Sequence, residues 1–208
     1  ESSATWVTGR SVPSAILQYA DQLDASLIVV GSGVDGPAGQ ITMTSKTSRL
    51  LHSSAVPVVI APRGYLPQPG SRIERVTLAF RDDDATWDLL ERVAEICRRV
   101  GADLRLLTVA LKHRTMVTSG VRHNEALVYA NLLSQVGAAQ AEAIEHLAGK
   151  GVPATTVVAE GSSWPDALQS VPFDDGDVIV VGSSSTHRLA NVFLGSSAAK
   201  IVRNSPVP

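Results

Sequence analysis

The chain holds one cysteine, Cys97, among its 208 residues. No intramolecular disulfide can form, and a reducing cytoplasm is the compartment that fits. Cys97 falls in an apolar rhythm with Leu90, Val93 and Ala94, away from any helix start that would activate it. It reads as a buried structural thiol. Long apolar runs are missing too. Stretches such as Val56–Ala61 are strand-sized, far short of the roughly 18 residues that cross a bilayer, so no membrane partner is expected. Residues 1–10 lack a basic start followed by an apolar stretch, so no signal peptide is read there. Lysine and arginine are scattered, net charge is −2 and pI is about 6.2. No nucleic-acid footprint follows from that balance. No Cys/His cluster has zinc spacing, and no metal is expected.

What is present is a core and a repeat. Hydrophobic residues make up 44% and charged residues 18%, the balance of a globular protein. Leu27 to Pro57 reads LIVVGSGVDGPAGQITMTSKTSRLLHSSAVP, and Val178 to Pro208 reads VIVVGSSSTHRLANVFLGSSAAKIVRNSPVP. Gly31 aligns with Gly182 and Pro57 with Pro208, without a gap. Two copies of one domain are expected.

In the second copy the pattern predicts strands at Arg75–Phe80, Leu104–Ala110, Ala154–Glu160 and Val178–Val181. Between and after them it predicts helices at Thr86–Val100, Asn124–Gly149, Trp164–Val171 and roughly Ser196–Arg203, with Thr86 as an N-cap and Gly101 as a stop. Alternating strands and helices imply an α/β fold, an open parallel sheet with helices on both faces. Runs such as VIVV fit strands buried on both sides. The first copy shows only the end of this order: a strand at Thr5–Thr8, helix Ser14–Leu23, strand Leu27–Val30, helix Thr44–His52 and strand Val56–Ala61. The segment PRGYLPQPGSR, residues 62–72, is linker-like. The expected organisation is therefore 1–62 as the later part of a first domain, 63–72 as linker, and 73–208 as a second domain without its closing strand. We expect a piece of a longer protein, or a chain whose missing strands a partner supplies.

These residues resemble the universal stress protein (UspA-like) family, whose members carry a strand ending in Gly, then G-x2-G-x9-G-[S/T], a helix and a Pro-Val closing strand. Here Gly182-x2-Ser185-x9-Gly195-Ser196 has that spacing, with serine at the second glycine. RVTLAFRDDDATWDLLERVAEICRRVGADLRLLTVA is similar to the family's opening strand, helix and second strand. The resemblance implies an adenine-nucleotide α-hydrolase-like fold in two tandem copies, the first incomplete. It also implies a stress-response regulatory module, with an internal pseudo-dimer of the two domains and a homodimer as candidate assemblies.

Ligands of open α/β sheets sit outside the carboxyl ends of the strands, near the switch in strand order. Free N–H groups and the helix dipole favour a phosphate where Gly195, Ser196 and Ser197 begin the last helix. The resemblance carries ATP, or a related adenine nucleotide, onto Gly182, Ser185, Gly195, Ser196 and Ser197, with Val109 against the adenine. Arg81 stands where ATP-binding members usually have Asp, which swaps an acceptor for a donor. Read as ordinary structure, a Gly after a strand is turn chemistry and a Ser before a helix is a cap. The first copy has Gly31-x2-Val34-x9-Thr44-Ser45 and is expected to pack rather than to bind nucleotide, with Gly33, Gly36 and Gly39 making its loop flexible. Gly31, Gly33 and Gly36 spell GxGxxG, but no helix begins after them and Pro37 follows.

No enzyme is expected. Gly161-Ser162-Ser163 lacks the second glycine of a nucleophile elbow. His52 and His146 read as solvated or carbonyl-capping, and His113 and His123 flank a loop over the ligand edge; His187 completes the histidines. Asp82-Asp83-Asp84 reads as an acidic turn capping the next helix rather than a cation site. The alternatives are a member that binds no nucleotide and acts through protein contacts, and a nucleotide-dependent transferase or hydrolase, which a missing P-loop disfavours.

Overall fold

Strands that are apolar at every position need cover on both faces. The computed structural model, which describes residues 3–112, 119–183 and 194–208, supplies it. The order is α1 (Val12–Gln22), β1 (Ile28–Gly31), α2 (Ser45–Ser53), β2 (Val58–Ala61), β3 (Arg75–Ala79) and α3 (Asp84–Val100). Then follow β4 (Asp103–Leu111), α4 (Ser119–Gly149), β5 (Ala154–Gly161), α5 (Trp164–Gln169), β6 (Asp177–Val180) and α6 (Ser196–Asn204).

Residues from Arg75 onward build a four-stranded parallel sheet in the order β5-β4-β3-β6. Side chains alternate across it. Val76, Leu78, Leu104 and Leu106 point to one face, where Leu90, Val93, Ala94 and Cys97 of α3 and Ala143 and Leu147 of α4 cover them. Leu107 and Ala159 point to the other, against Ala167 and Leu168 of α5 and Ile201 of α6. Leu78, Leu90 and Leu106 are wholly buried, each contributing about 1.5–3 kcal/mol of transfer free energy. Cys97 is buried as expected, and that burial pushes its thiol up to about 11.

Helix α3 shows how local chemistry sets the bounds. Asp83, not Thr86, is its N-cap: the Asp83 carboxylate accepts from the Thr86 N–H at 2.9 Å. The capping oxygen must precede the N–H it satisfies by three residues, so Thr86 is on the donating side. Gly101, at φ 70°, ends the helix in the left-handed region that glycine enters freely, and Arg98 and Arg99 sit in the last turn.

The other end of the sheet is pinned by buried charge. Asp177, 2% exposed, accepts from Arg75 Nη2 at 2.7 Å, the Asp174 N–H at 3.0 Å and Arg105 Nη2 at 3.5 Å. Arg105 also donates to Thr77 and to the Pro172 carbonyl, and its guanidinium lies over the Phe173 ring. Burial, then repulsion from Arg75, lowers the Arg105 pKa.

In residues 3–62, β1 and β2 pair in parallel, and Ala15, Ile28, Leu50 and Ile60 are buried. Thr5–Thr8 forms no strand: a strand exists through its partner, and no described strand pairs there. Trp6 is fully exposed. Elsewhere this segment and the one from Arg75 onward share local features. Ser11 and Ser163 cap α1 and α5 by accepting from Ser14 and Asp166, each with proline in the first turn. Ser54 bonds the N–H and carbonyl of Val56, and Ser205 does the same to Val207.

Candidate functional site

In the parallel sheet, β3-α3-β4-α4-β5 steps away in one direction, and the chain then returns through α5 to place β6 on the far side of β3. Strand order therefore reverses between β3 and β6, and a crevice at their carboxyl ends is where a ligand belongs. The register pairs Leu78 with Val180 and Ala79 with Leu107. Val109, Arg81 and Gly182 thus lie near one level across β4, β3 and β6, with β4 running two residues beyond Val109. Val109 is half-buried and packs on the cluster under α5 and α6. Ser185 lies outside the described residues, as do His113, His187 and the side chain of His123.

At the start of α6, Gly195 takes the N-cap position with no side-chain bond to the first turn. Its φ is −58°, and no described atom lies within 4 Å of where a Cβ would stand. Neither its backbone angle nor any described atom therefore demands glycine at this position. What a missing side chain does supply is open access to the first-turn N–H groups, which carry the positive end of the dipole. Ser196 and Ser197 are exposed beside them. Gly182 is different: a Cβ there would meet Leu89 Cδ2 at 3.3 Å, so packing against α3 already favours glycine.

The matching place in the first unit is filled. Thr44 caps α2, accepting from the Thr47 N–H at 3.1 Å. The loop ahead of it is closed rather than slack. Thr42 N–H donates to Ser32 Oγ at 2.7 Å and Gly33 N–H to the Thr42 carbonyl at 3.0 Å. Gly36 has no room for a Cβ beside Thr42, so its role is close packing. Arg63 holds the loop from outside, exchanging backbone hydrogen bonds with Gly39 and Gln40 while its guanidinium donates to the Gly36 carbonyl.

Arg81 projects into solvent, 78% exposed, and ion-pairs with Asp83. Partial burial pulls the Asp83 pKa upward, but hydrogen bonds from Thr86 and Arg81 outweigh it and hold the carboxylate below its ordinary value. Asp82 accepts from the Trp87 indole at 3.0 Å. The acidic turn is thus engaged in capping and tethering. Among the described residues, no group of three or more His, Cys, Asp or Glu side chains could hold a metal ion.

Three features were not anticipated. His146 is neither a carbonyl cap nor simply solvated: it pairs with Glu91 across α3 and α4, beside Lys150 and edge-on to Trp87 at 5.6 Å. Hydrogen bonds from Lys150 and His146 hold Glu91 below the usual carboxylate range. At the carboxyl ends of β4 and β5, Glu160 accepts from Lys112 at 2.9 Å and Tyr129 at 2.8 Å, and burial with that carboxylate pushes the Tyr129 phenol up to about 12. The Arg105–Asp177 network is the third. Each joins residues far apart in the chain, a pairing that no local pattern announces.

Comparison with known proteins adds the family. A model described as the universal stress protein family matches residues 2–62 and 72–208. Universal stress protein Rv2319c of Mycobacterium tuberculosis is 36% identical over 204 residues, covering 96% of this chain and 68% of that protein. Universal stress protein Mb2346c of Mycobacterium bovis matches to the same extent. Among solved structures, a universal stress protein from Archaeoglobus fulgidus aligns with a TM-score of 0.56 at 20% identity, over 92% of this chain and 63% of that one. UspA from Lactobacillus plantarum aligns with a TM-score of 0.52 at 19% identity, over 66% of this chain and 96% of that one. These structures agree with the parallel α/β fold. No helix among the described residues is long and apolar enough to cross a membrane.

Proposed function

Because the chain belongs to the universal stress protein family, we propose that it is a regulatory binding module whose second unit takes ATP or a related adenine nucleotide. The phosphates sit at the N-terminus of α6, on Gly195, Ser196 and Ser197, and the backbone at Gly182 lines the crevice. Val109 offers the adenine an apolar contact, and Ser185 follows Gly182 in the motif. The observation that carries this reading is the bare cap at Gly195, a glycine that neither its φ nor any described neighbour requires. A phosphate there gains roughly 0.3–1 kcal/mol from the dipole, and up to about 2 in a partly buried setting.

Arg81 favours a nucleotide bound chiefly by its phosphates. Its guanidinium cannot accept from a ribose hydroxyl, but it adds a cation at the strand end. The same exchange supports a second reading, in which no nucleotide binds and the module acts through protein contacts. We read the two units as tandem copies joined by residues 63–72, with the first serving as packing partner, and the cytoplasm as the place of action. No catalytic turnover is part of either reading.

Calorimetric titration with ATP, ADP and AMP decides between them. Affinity falling from ATP to AMP supports the phosphate cradle. Heat with none of the three leaves the protein-contact reading. Equal affinity for all three moves recognition to the adenosine.

A further inference from the structure

The segment that joins the two units is rich in proline and glycine, a composition that suggests slack. The structure gives it fixed geometry instead. The Tyr65 N–H donates to the Pro62 carbonyl at 3.1 Å, and the Ser71 N–H to the Gln68 carbonyl at 2.9 Å. Gly64 and Gly70 stand third in these four-residue turns, at φ 77° and 82°, while Arg63 and Pro69 ahead of them keep negative φ. Both are therefore type II turns, whose third residue needs positive φ.

The first of these turns is tied to both units. On the first unit, the Gly39 N–H donates to the Arg63 carbonyl at 2.8 Å and the Arg63 N–H to the Gln40 carbonyl at 3.0 Å. The Arg63 guanidinium donates to the Gly36 carbonyl beside them. On the second unit, the Tyr65 hydroxyl donates to the Asp175 carbonyl at 2.9 Å. Only Gly64 separates the two attachments.

The place that receives Tyr65 is itself firmly built. The Asp177 N–H closes a turn on the Asp174 carbonyl at 3.0 Å, and the Asp177 carboxylate takes the Asp174 N–H. Arg75 bridges the carboxylates of Asp174 and Asp177, and the Gly176 carbonyl accepts from the Glu74 N–H at 2.9 Å. Arg105 holds the approach to this turn through the Pro172 carbonyl and the Phe173 ring. The buried charge at this end of the sheet thus also fixes the seat of the linker. Among the described helices and strands, none of the first unit packs broadly on one of the second. Units that share so little surface move independently unless something else holds them.

We propose that residues 63–65 are a strap that holds the two units in one orientation, latched by the Tyr65 hydroxyl on turn 174–177. The strap rests on the reading of residues 63–72 as the join of two units; what the crevice binds is immaterial to it.

Residual dipolar couplings of the backbone amides test the strap, because units that tumble as one share one alignment. The two units of the unaltered chain are expected to align equally. Tyr65→Phe removes one hydroxyl, and Gly64→Val places a β-branched residue at positive φ. In both variants the first unit's couplings are expected to shrink against the second's. Trypsin reads the same opening at Arg72, an exposed linker residue. Cleavage there is expected to be about two- to tenfold faster in Tyr65→Phe, the worth of one hydrogen bond. Unequal alignment in the unaltered chain overturns the proposal. So does equal alignment that persists in Tyr65→Phe, even where Gly64→Val loosens the join, and so does cleavage no faster than in the unaltered chain. If the parts then stay together after cleavage at Arg72, the two-unit reading falls as well; if they separate, the strap alone falls.

Discussion

Helices α2 and α6 start at matching points, and their N-caps differ: threonine at one, glycine at the other. Thr44 turns its side chain back onto α2 and satisfies the first turn from within. Gly195 leaves the first turn of α6 to whatever arrives from outside. The turns that close the two helices are alike, at Ser54 and at Ser205. A self-capped helix needs no ligand, and an uncapped one offers about the same donors to an anion. The difference separates scaffold from site: what the units have in common holds the fold, and what they do not share is where binding is proposed.

The comparison breaks most visibly at Gly195. Gly195→Asp places a carboxylate where a phosphate would sit and caps α6 at the same time. ATP affinity is expected to fall by about a hundredfold or more, while the melting temperature holds or rises, because Asp is at least as good an N-cap as Gly. Calorimetry and a thermal melt read the two effects separately. Undiminished binding would move the site away from α6.

Next in size is Arg105→Ala, which removes a partner from buried Asp177 and strands Thr77 and the Pro172 carbonyl. Urea unfolding is expected to show a loss of about 3 kcal/mol, the low end for a broken buried pair, because Arg75 still holds Asp177. A loss below about 1 kcal/mol would mean that water replaces the guanidinium freely.

Smaller still is the pair Ser205→Ala and Ser54→Ala. Ser205 is wholly buried and Ser54 only partly, so expected costs are about 1–2 and about 0.5–1 kcal/mol. Equal costs in denaturant titrations would show that both turns are sheltered alike. The smallest effect is expected of Thr44→Gly, which removes the cap of α2 for a few tenths of a kcal/mol. It should confer no nucleotide binding on the first unit, because Ser32, Thr42 and Arg63 still close the loop. A second equivalent of bound ATP would undo the proposed division between the units.

The fold was legible in the sequence because its signals are local. VIVV needs two-sided burial, and Leu90, Val93, Ala94 and Cys97 recur at helical spacing. The misreadings arose where a partner decides. Thr5–Thr8 has strand composition and no ladder, and Thr86 gives its N–H to a cap three residues earlier. Gly33 and Gly36 suggest slack by composition, yet Thr44 and Thr42 fill the space beside Gly33 and Thr42 that beside Gly36. Of the proposed site, Gly182, Gly195, Ser196, Ser197, Val109 and Arg81 are read from motif and alignment alone. That no described atom crowds Gly195 is a property of its surroundings, and only coordinates display it. Arg105 was missed because a single arginine inside a strand has no periodic signature. Its partners lie at Thr77, Pro172 and Asp177.

Cys97 carries one further consequence. Its sulfur is sealed between α3 and the sheet, and its proton is held well past neutral pH. An oxidant or alkylating reagent can reach it only when that packing opens, so the chain's lone thiol cannot act as a direct detector of either. It acts instead as a clock: the rate at which it is modified measures how often the core beneath α3 comes apart. A cysteine introduced elsewhere on the surface would therefore take a label on its own, with the native thiol silent for as long as the molecule stays folded.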